Sequence, residues 1–236
     1  MIIQTMSYIS FPIYQDAIKQ PHLLIAGTTG SGKSTIINAL IYTAVNTYPG
    51  CKLILIDSKG IELYKYINLQ QCGIYADNER DILTALKRCE NTLTARFKAM
   101  RKDNITKYPG PPIFLIIDEY ADLVLSDSKK EIQRIIQRIC QLGRAAGIHS
   151  WITTQNVITK VIDSRIKCNI DSRIGLRTRS KQESRNIIDM SGLETLPRYG
   201  KAYYMTPETA GYINIPMIPE TEINKLINHY SSRKKP

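Results

Sequence analysis

Short, mainly apolar runs recur along the chain, separated by longer stretches whose apolar residues return every three or four positions. The runs at 22–26, 53–56, 113–117 and 150–153 have the length and composition of strands buried on both faces. Between them, Ile82, Leu83, Leu86, Cys89, Leu93, Phe97 and Met100 fall on one face of a helix over 78–100, with Lys87, Arg88 and Lys98 on the solvated side. A second helix is predicted from a capping box at Ser128 and Glu131, turning Ile132, Ile135, Ile136, Ile139 and Leu142 inward and Arg134 and Arg138 outward. The turn Pro109-Gly110-Pro111-Pro112 feeds directly into the run at 113–117. Strands alternating with helices predict an α/β fold, a mostly parallel sheet with helices on both faces. Past residue 170 the pattern shortens and becomes β-like, with strands expected at 173–177, 201–205 and 212–215. One domain over 21–220 is expected, with a lead-in at 1–20 and a basic tail at 221–236 that is polar and frayed from Ser231 onward.

The strongest chemical signal lies where the first run meets its helix. Gly27, Thr28, Thr29, Gly30, Ser31, Gly32, Lys33 and Ser34 fit the phosphate-cradling P-loop, with strand before and helix after, and Thr35 follows in the helix. Glycines let the backbone turn its N–H groups toward a polyphosphate, and the positive end of the helix dipole favours that charge. Lys33 would reach the β- and γ-phosphates of ATP, and the Ser34 hydroxyl would hold Mg²⁺. The run at 113–117 ends in Asp118-Glu119, which supplies an acid for the Mg²⁺ shell and a carboxylate able to polarise the attacking water. The run ending Trp151-Ile152-Thr153-Thr154 places Gln155 beside the γ-phosphate, where an amide can register its presence.

Composition narrows the partner. Among 236 residues, 32 Lys and Arg against 21 Asp and Glu leave a net charge of +11, which favours a polyanion: nucleic acid first, an acidic membrane surface second. Cys51, Cys72, Cys89, Cys140 and Cys168 are scattered and never paired as C-x-x-C, so they suggest neither a zinc site nor a disulfide framework and suit a reducing cytoplasm. No stretch approaches the ~20 consecutive apolar residues of a membrane span.

Taken in order, these blocks resemble the FtsK/SpoIIIE DNA translocases of the FtsK/HerA group of ring motors. The resemblance rests on Pro21 to Leu24 running into the P-loop, then Leu55-Ile56-Asp57-Ser58-Lys59 with Glu62-Leu63, and Asp118 to Leu123. It continues through Gly143 to His149, Thr154-Gln155, Ile166 to Ile170 and Ser184-Arg185, covering roughly residues 20 to 205. The resemblance implies a RecA-like motor domain that assembles as a homo-hexameric ring and couples ATP hydrolysis to the passage of DNA. It implies an arginine entering each ATP site from the neighbouring subunit, for which Arg173 is the first match and Arg144 the second. Lys181 and Arg185 match positions expected to touch the DNA backbone. Conjugation coupling ATPases of mobile elements are the nearest functional picture, with a relaxase or a membrane-anchoring protein as partner. FtsK-like ATPases of protein secretion systems are the alternative, and an assembly factor that binds ATP without hydrolysing it is a third reading, against which Glu119 speaks. Two departures stand out: Ser58 replaces the usual Pro, and Asn156-Val157 replaces the usual Arg-Pro after the Gln. The sequence as it stands reads as a minimal or excised motor.

Overall fold

The computed structural model describes residues 20–155, 164–215 and 217–231, together with a two-residue ladder between β1 (Ile3–Gln4) and β2 (Tyr14–Gln15). Asn156-Val157, the chain beyond Ser231 and most of the lead-in lie outside the described residues.

One eight-stranded sheet organises the molecule. Its strands are β3 (His22–Ala26), β4 (Lys52–Asp57), β5 (Cys72–Ala76), β6 (Ile113–Asp118), β7 (Ile148–Thr154), β8 (Ser172–Gly175), β9 (Lys201–Met205) and β10 (Ala210–Asn214). Across the sheet the order is β10-β9-β8-β3-β7-β6-β4-β5. From β8 to β5 all neighbours run parallel, and β9 and β10 close one edge as an antiparallel hairpin. The central strands β3, β6 and β7 are buried almost throughout and mainly apolar because helices cover both faces, leaving no solvated side for polar alternation.

Each strand nevertheless sorts its residues between two cores by its two-residue period. Leu23 and Ile25 of β3 join Ile36, Leu40 and Ile41 of α1 (Lys33–Thr47), with Phe114, Trp151 and Leu226. Leu24 and Ala26 point the other way, into Ile82, Leu86 and Leu93 of α2 (Glu79–Lys102) and Ile132, Ile135 and Ile139 of α4 (Lys129–Ala146). The short helices α3 (Tyr120–Leu123), α5 (Ser164–Lys167) and α6 (Lys181–Ile188) occupy the later crossovers. α7 (Glu220–His229) buries Ile223 and Leu226 in the α1 core, and the Gln70 amide donates to the Tyr230 carbonyl at 2.9 Å. The folded core therefore runs past residue 220, and 221–231 belong to it rather than to a tail.

Two local expectations fail. The Ser128 capping box does not form, because Ser128 sits at φ −81°, ψ 7° and makes no side-chain cap bond. An N-cap hydroxyl reaches the helix amides from an extended backbone; here the Glu131 amide is taken by the Ser128 carbonyl at 3.0 Å, and the Glu131 carboxylate pairs with Lys87 at 3.1 Å. A working cap appears at Ser180, whose extended backbone lets its Oγ accept from the Glu183 amide at 3.2 Å. Leu142 is 40% exposed, not inward, because the buried stripe of α4 passes from Ile139 to Cys140, Gly143 and Ala146. Gly143 allows the close approach of α4 to β7: a Cβ there would stand 2.5 Å from the Ile148 carbonyl oxygen.

Candidate nucleotide site at the carboxyl edge of the sheet

The loop from β3 to α1 emerges between β7 and β8, on both of which it is hung. The Gly27 amide donates to the Thr154 carbonyl at 3.3 Å, and the Thr28 amide to the Arg177 carbonyl at 2.9 Å. Gly27 packs so tightly that a Cβ would lie 2.5 Å from Cβ of Leu176, and Gly32 opens the helix at φ +108°, a conformation that L side chains rarely adopt. Among the described residues, the amides of Gly30, Gly32 and Lys33 donate to no protein group. That leaves a concave row of donors at a helix N-terminus, which fits a polyphosphate.

Lys33 is the charge at the centre. Its ammonium is buried and donates to the carbonyls of Gly27 at 2.8 Å and Thr28 at 2.9 Å, so it is held against the loop by the loop's own backbone. Burial lowers its pKa to about 8, against the opposing pull of Glu119 and Asp118. Ser34, Thr35, Thr29, Gly30 and Asp118 line the same cavity of about 310 Å³. Ser31 stays out of it, its Oγ donating to the Thr28 carbonyl at 2.7 Å and so bracing the loop. Asp118, at the end of β6, accepts from Thr153 Oγ1 at 2.8 Å; burial raises its pKa, partly offset by that bond. A hydroxyl from Ser34 and a carboxylate from Asp118 on one cavity are the donor set that suits Mg²⁺, a hard cation taking oxygen ligands.

Glu119 departs from ordinary backbone geometry. It is a non-glycine residue at φ +58°, and its carboxylate is buried under the end of β7. There it accepts from Thr154 Oγ1 at 3.0 Å and from the Gln155 amide at 3.0 and 3.1 Å. The left-handed conformation costs roughly 1 kcal/mol and is retained because these bonds and the Thr153 Oγ1 contact to its own amide fix it. Gln155 in turn accepts from Thr29 Oγ1 through its side-chain Oε1. The P-loop, Gln155 and Glu119 are thus one hydrogen-bonded chain.

Sequence reasoning gave no role to several residues that share the cavity. Lys59 and Glu62 reach it because Asp57, fully buried, accepts from the Leu63 amide at 2.8 Å and shapes the intervening turn. The matched block at 55–63 carried that signal. Tyr199, 65% exposed, also lines it, with no motif to announce it.

The arginines and lysines expected to work at a distance fall in three places. Arg173, mid-strand in β8, turns to α6, donating to the Ile187 carbonyl at 3.2 Å and pairing with Asp189, which also holds Lys167 at 2.7 Å. Asp189 is kept below its usual carboxylate range by these two cations. Arg144 is exposed in the last turn of α4, at the opposite edge of the sheet from the P-loop. Lys181 and Arg185 are exposed on α6, in the first and second turns after the cap, with exposed Arg177 and Arg179 just upstream. The structure thus brings Lys33, Ser34, Asp118, Glu119 and Gln155 together and leaves Arg173 and Arg144 outside their own chain's cavity.

Comparison with known proteins agrees with this geometry. The chain is 37% identical to the DNA translocase FtsK of Treponema pallidum over 237 residues, and 32% identical to that of Pseudomonas syringae pv. tomato over 266. These alignments cover 91% and 95% of the chain but only 29% and 33% of the relatives, so it spans about a third of their length. In fold it is similar to the pCW3 conjugation coupling protein TcpA, solved with ATPγS, at TM-score 0.83 and 23% identity over 93% of this chain and 68% of that one. It is also similar to the cytoplasmic domain of the Thermomonospora curvata Type VII secretion ATPase EccC, at TM-score 0.80 and 22% identity over 98% of this chain and 31% of that one. The family model described as FtsK/SpoIIIE matches residues 5–110 and 106–158. With that match on the same strands and loops that build the cavity, the chain belongs to the FtsK/SpoIIIE family.

Proposed function

We propose that this chain is a Mg²⁺-dependent ATPase that drives DNA as the motor unit of a homo-hexameric ring, working in the cytoplasm in DNA transfer or segregation. The observation that carries the reading is a donor-lined P-loop and buried Lys33 sharing one cavity with Asp118 and Gln155, with Glu119 bonded directly behind Gln155. Mg²⁺, held by Ser34 and Asp118, would neutralise phosphate charge. Lys33 exchanges its two loop carbonyls for phosphate oxygens, a trade favoured because the ammonium then meets an anion instead of neutral dipoles. For Glu119 to orient and polarise water, its carboxylate must release a bond to Gln155 or Thr154. The Thr29–Gln155 contact makes that release sensitive to what sits on the P-loop. The exposed Arg177, Arg179, Lys181 and Arg185 supply a basic rim for a phosphate backbone, consistent with the +11 charge. Arg173 and Arg144 remain the proposed fingers toward a neighbouring site, Arg144 having the freer side chain.

The likeness to EccC supports a second reading, since one such structure holds a signal sequence peptide on ATPases 2 and 3. The test is ATP turnover by the full chain with linear duplex DNA, with a basic-to-neutral peptide panel, and with neither. The motor reading expects stimulation by DNA that falls steeply with salt; stimulation by peptide alone overturns it in favour of export, and a relaxase or membrane anchor is then sought only for a DNA-stimulated chain.

A further inference from the structure

The loop between the 3₁₀ turn Leu193–Thr195 and β9 is fixed at both ends and exposed in the middle. Leu196 is buried at its start, and at its end the Gly200 carbonyl accepts from the Ile215 amide at 3.0 Å. Ile215 itself leans on the P-loop, its Cδ1 lying 3.1 Å from where a Cβ on Gly32 would stand. Of the three residues held between these anchors, Pro197, Arg198 and Tyr199, all are exposed, and the two large side chains join no core. Packing does not account for them.

Their position does. The Arg198 guanidinium stands over the P-loop: its Nη2 and Nε lie 3.4 and 3.8 Å from the point where a Cβ on Gly30 would be. Among the described residues it makes no ion pair and no hydrogen bond to a protein group. Its one partner is the Tyr199 ring, 5.4 Å away at the centroid, and Tyr199 lines the cavity with Gly30, Gly32, Lys33 and Thr35. A guanidinium on an aromatic face is oriented without being neutralised, so its fork of donors stays available to two oxygens of a phosphate.

We propose that Arg198 binds the phosphate chain of the nucleotide in cis, with Tyr199 as the platform that aims it. The inference rests on the nucleotide reading above and adds a residue to it. It places a phosphate-sensing arginine within each chain, independent of any arginine arriving from a neighbour. The Arg198 side chain meets the loop at its middle glycine, and we assign it to the outer phosphates that Lys33 also serves. Its removal is therefore expected to weaken ATP more than ADP and to leave AMP unchanged.

The experiment is equilibrium binding of fluorescent ATP, ADP and AMP analogues to the full chain at several protein concentrations, without DNA. Arg198→Ala is expected to weaken ATP by roughly ten- to a hundredfold, the worth of charge-assisted hydrogen bonds, with Arg198→Lys intermediate. Tyr199→Ala should show a smaller loss of the same pattern, and Tyr199→Phe almost none. Thermal melts of the variants should match the wild type, since neither side chain is buried. Unchanged ATP affinity in Arg198→Ala overturns the proposal, as does a loss confined to DNA binding, or one seen only at concentrations where subunits associate. If the wild-type chain binds ATP no better than Lys33→Ala, the nucleotide reading itself falls and takes this proposal with it.

Discussion

The two edges of the sheet handle buried and half-buried charge in opposite ways. At the amino edge, Arg96 reaches from α2 and donates to the carbonyls of Ala146 at 2.7 Å, Gly147 at 3.2 Å and Pro111 at 2.9 Å, with Tyr108 over its guanidinium at 4.2 Å. Its donors are spent on tying α4 and β7 to the start of β6. At the carboxyl edge, Arg198 also sits on a tyrosine but faces a loop in which, among the described residues, the amides of Gly30, Gly32 and Lys33 are equally unengaged. The same side-chain pairing is structural where carbonyls surround it and available for a ligand where donors do. Position relative to the strand direction decides which, because all the parallel strands send their carboxyl ends, and the loops that follow, to one side.

This contrast can be broken by substitution, beginning with the catalytic acid. Glu119→Gln removes the negative charge needed to polarise water while keeping the size and most contacts of the side chain. Turnover is expected to fall about 10²- to 10⁴-fold with nucleotide affinity preserved, read by phosphate release alongside equilibrium binding. Equal loss of binding would mean that Glu119 serves the fold instead.

Arg96→Ala tests the other edge. Stripping three carbonyl contacts from a buried site should lower stability by about 2 to 4 kcal/mol, seen as a reduced urea midpoint, while ATP affinity of the remaining folded chain stays close to wild type. A variant with wild-type stability and impaired nucleotide binding would reverse the assignment of the two edges.

Counted per pH unit and per group, the effects of pH are the smallest, and they carry opposite signs. His22 and His149 at the amino edge are neutral because burial pushes their pKa values down to about 3 and about 4. The unfolded chain takes up protons there from about pH 6.5 downward and the folded chain does not, so stability falls on acidification, by up to about 1.4 kcal/mol per pH unit per histidine. Lys33 acts in the alkaline range. With its pKa near 8 against 10.5 unperturbed, the folded chain loses this proton first, so the unliganded fold gains stability between those values. ATP binding needs the ammonium and should weaken above pH 8, by up to about tenfold per unit. Urea melts from pH 4 to 7 and ATP titrations from pH 7 to 9.5 separate the two; an ATP affinity flat across the alkaline range, or equally steep in Lys33→Ala, contradicts the assignment.

How much could be read beforehand follows the range of the interactions involved. The runs at 22–26, 53–56, 113–117 and 150–153 became β3, β4, β6 and β7, the first unchanged and the others with one to three residues added, because buried strands announce themselves by composition. The Ser128 cap failed since an N-cap depends on a backbone conformation that composition does not report, and Leu142 missed the core because the stripe of α4 drifts at 3.6 residues per turn. Glu119 was legible as an acid after a strand, yet its left-handed backbone and its bonds to β7 were not.

By itself the chain's order of residues determined the alternation of elements, the P-loop and the acids that answer it, since each of these is written in contiguous residues or fixed spacings. Only the tertiary structure decided which charges are engaged and which are free. Arg96, Arg173 and Arg198 look alike in sequence, and their roles separate when residues 14 to 51 positions away supply carbonyls or carboxylates, or when the fold sets a donor-lined loop from far along the chain in front of them. Charge on a side chain is local, but its compensation is set by the fold.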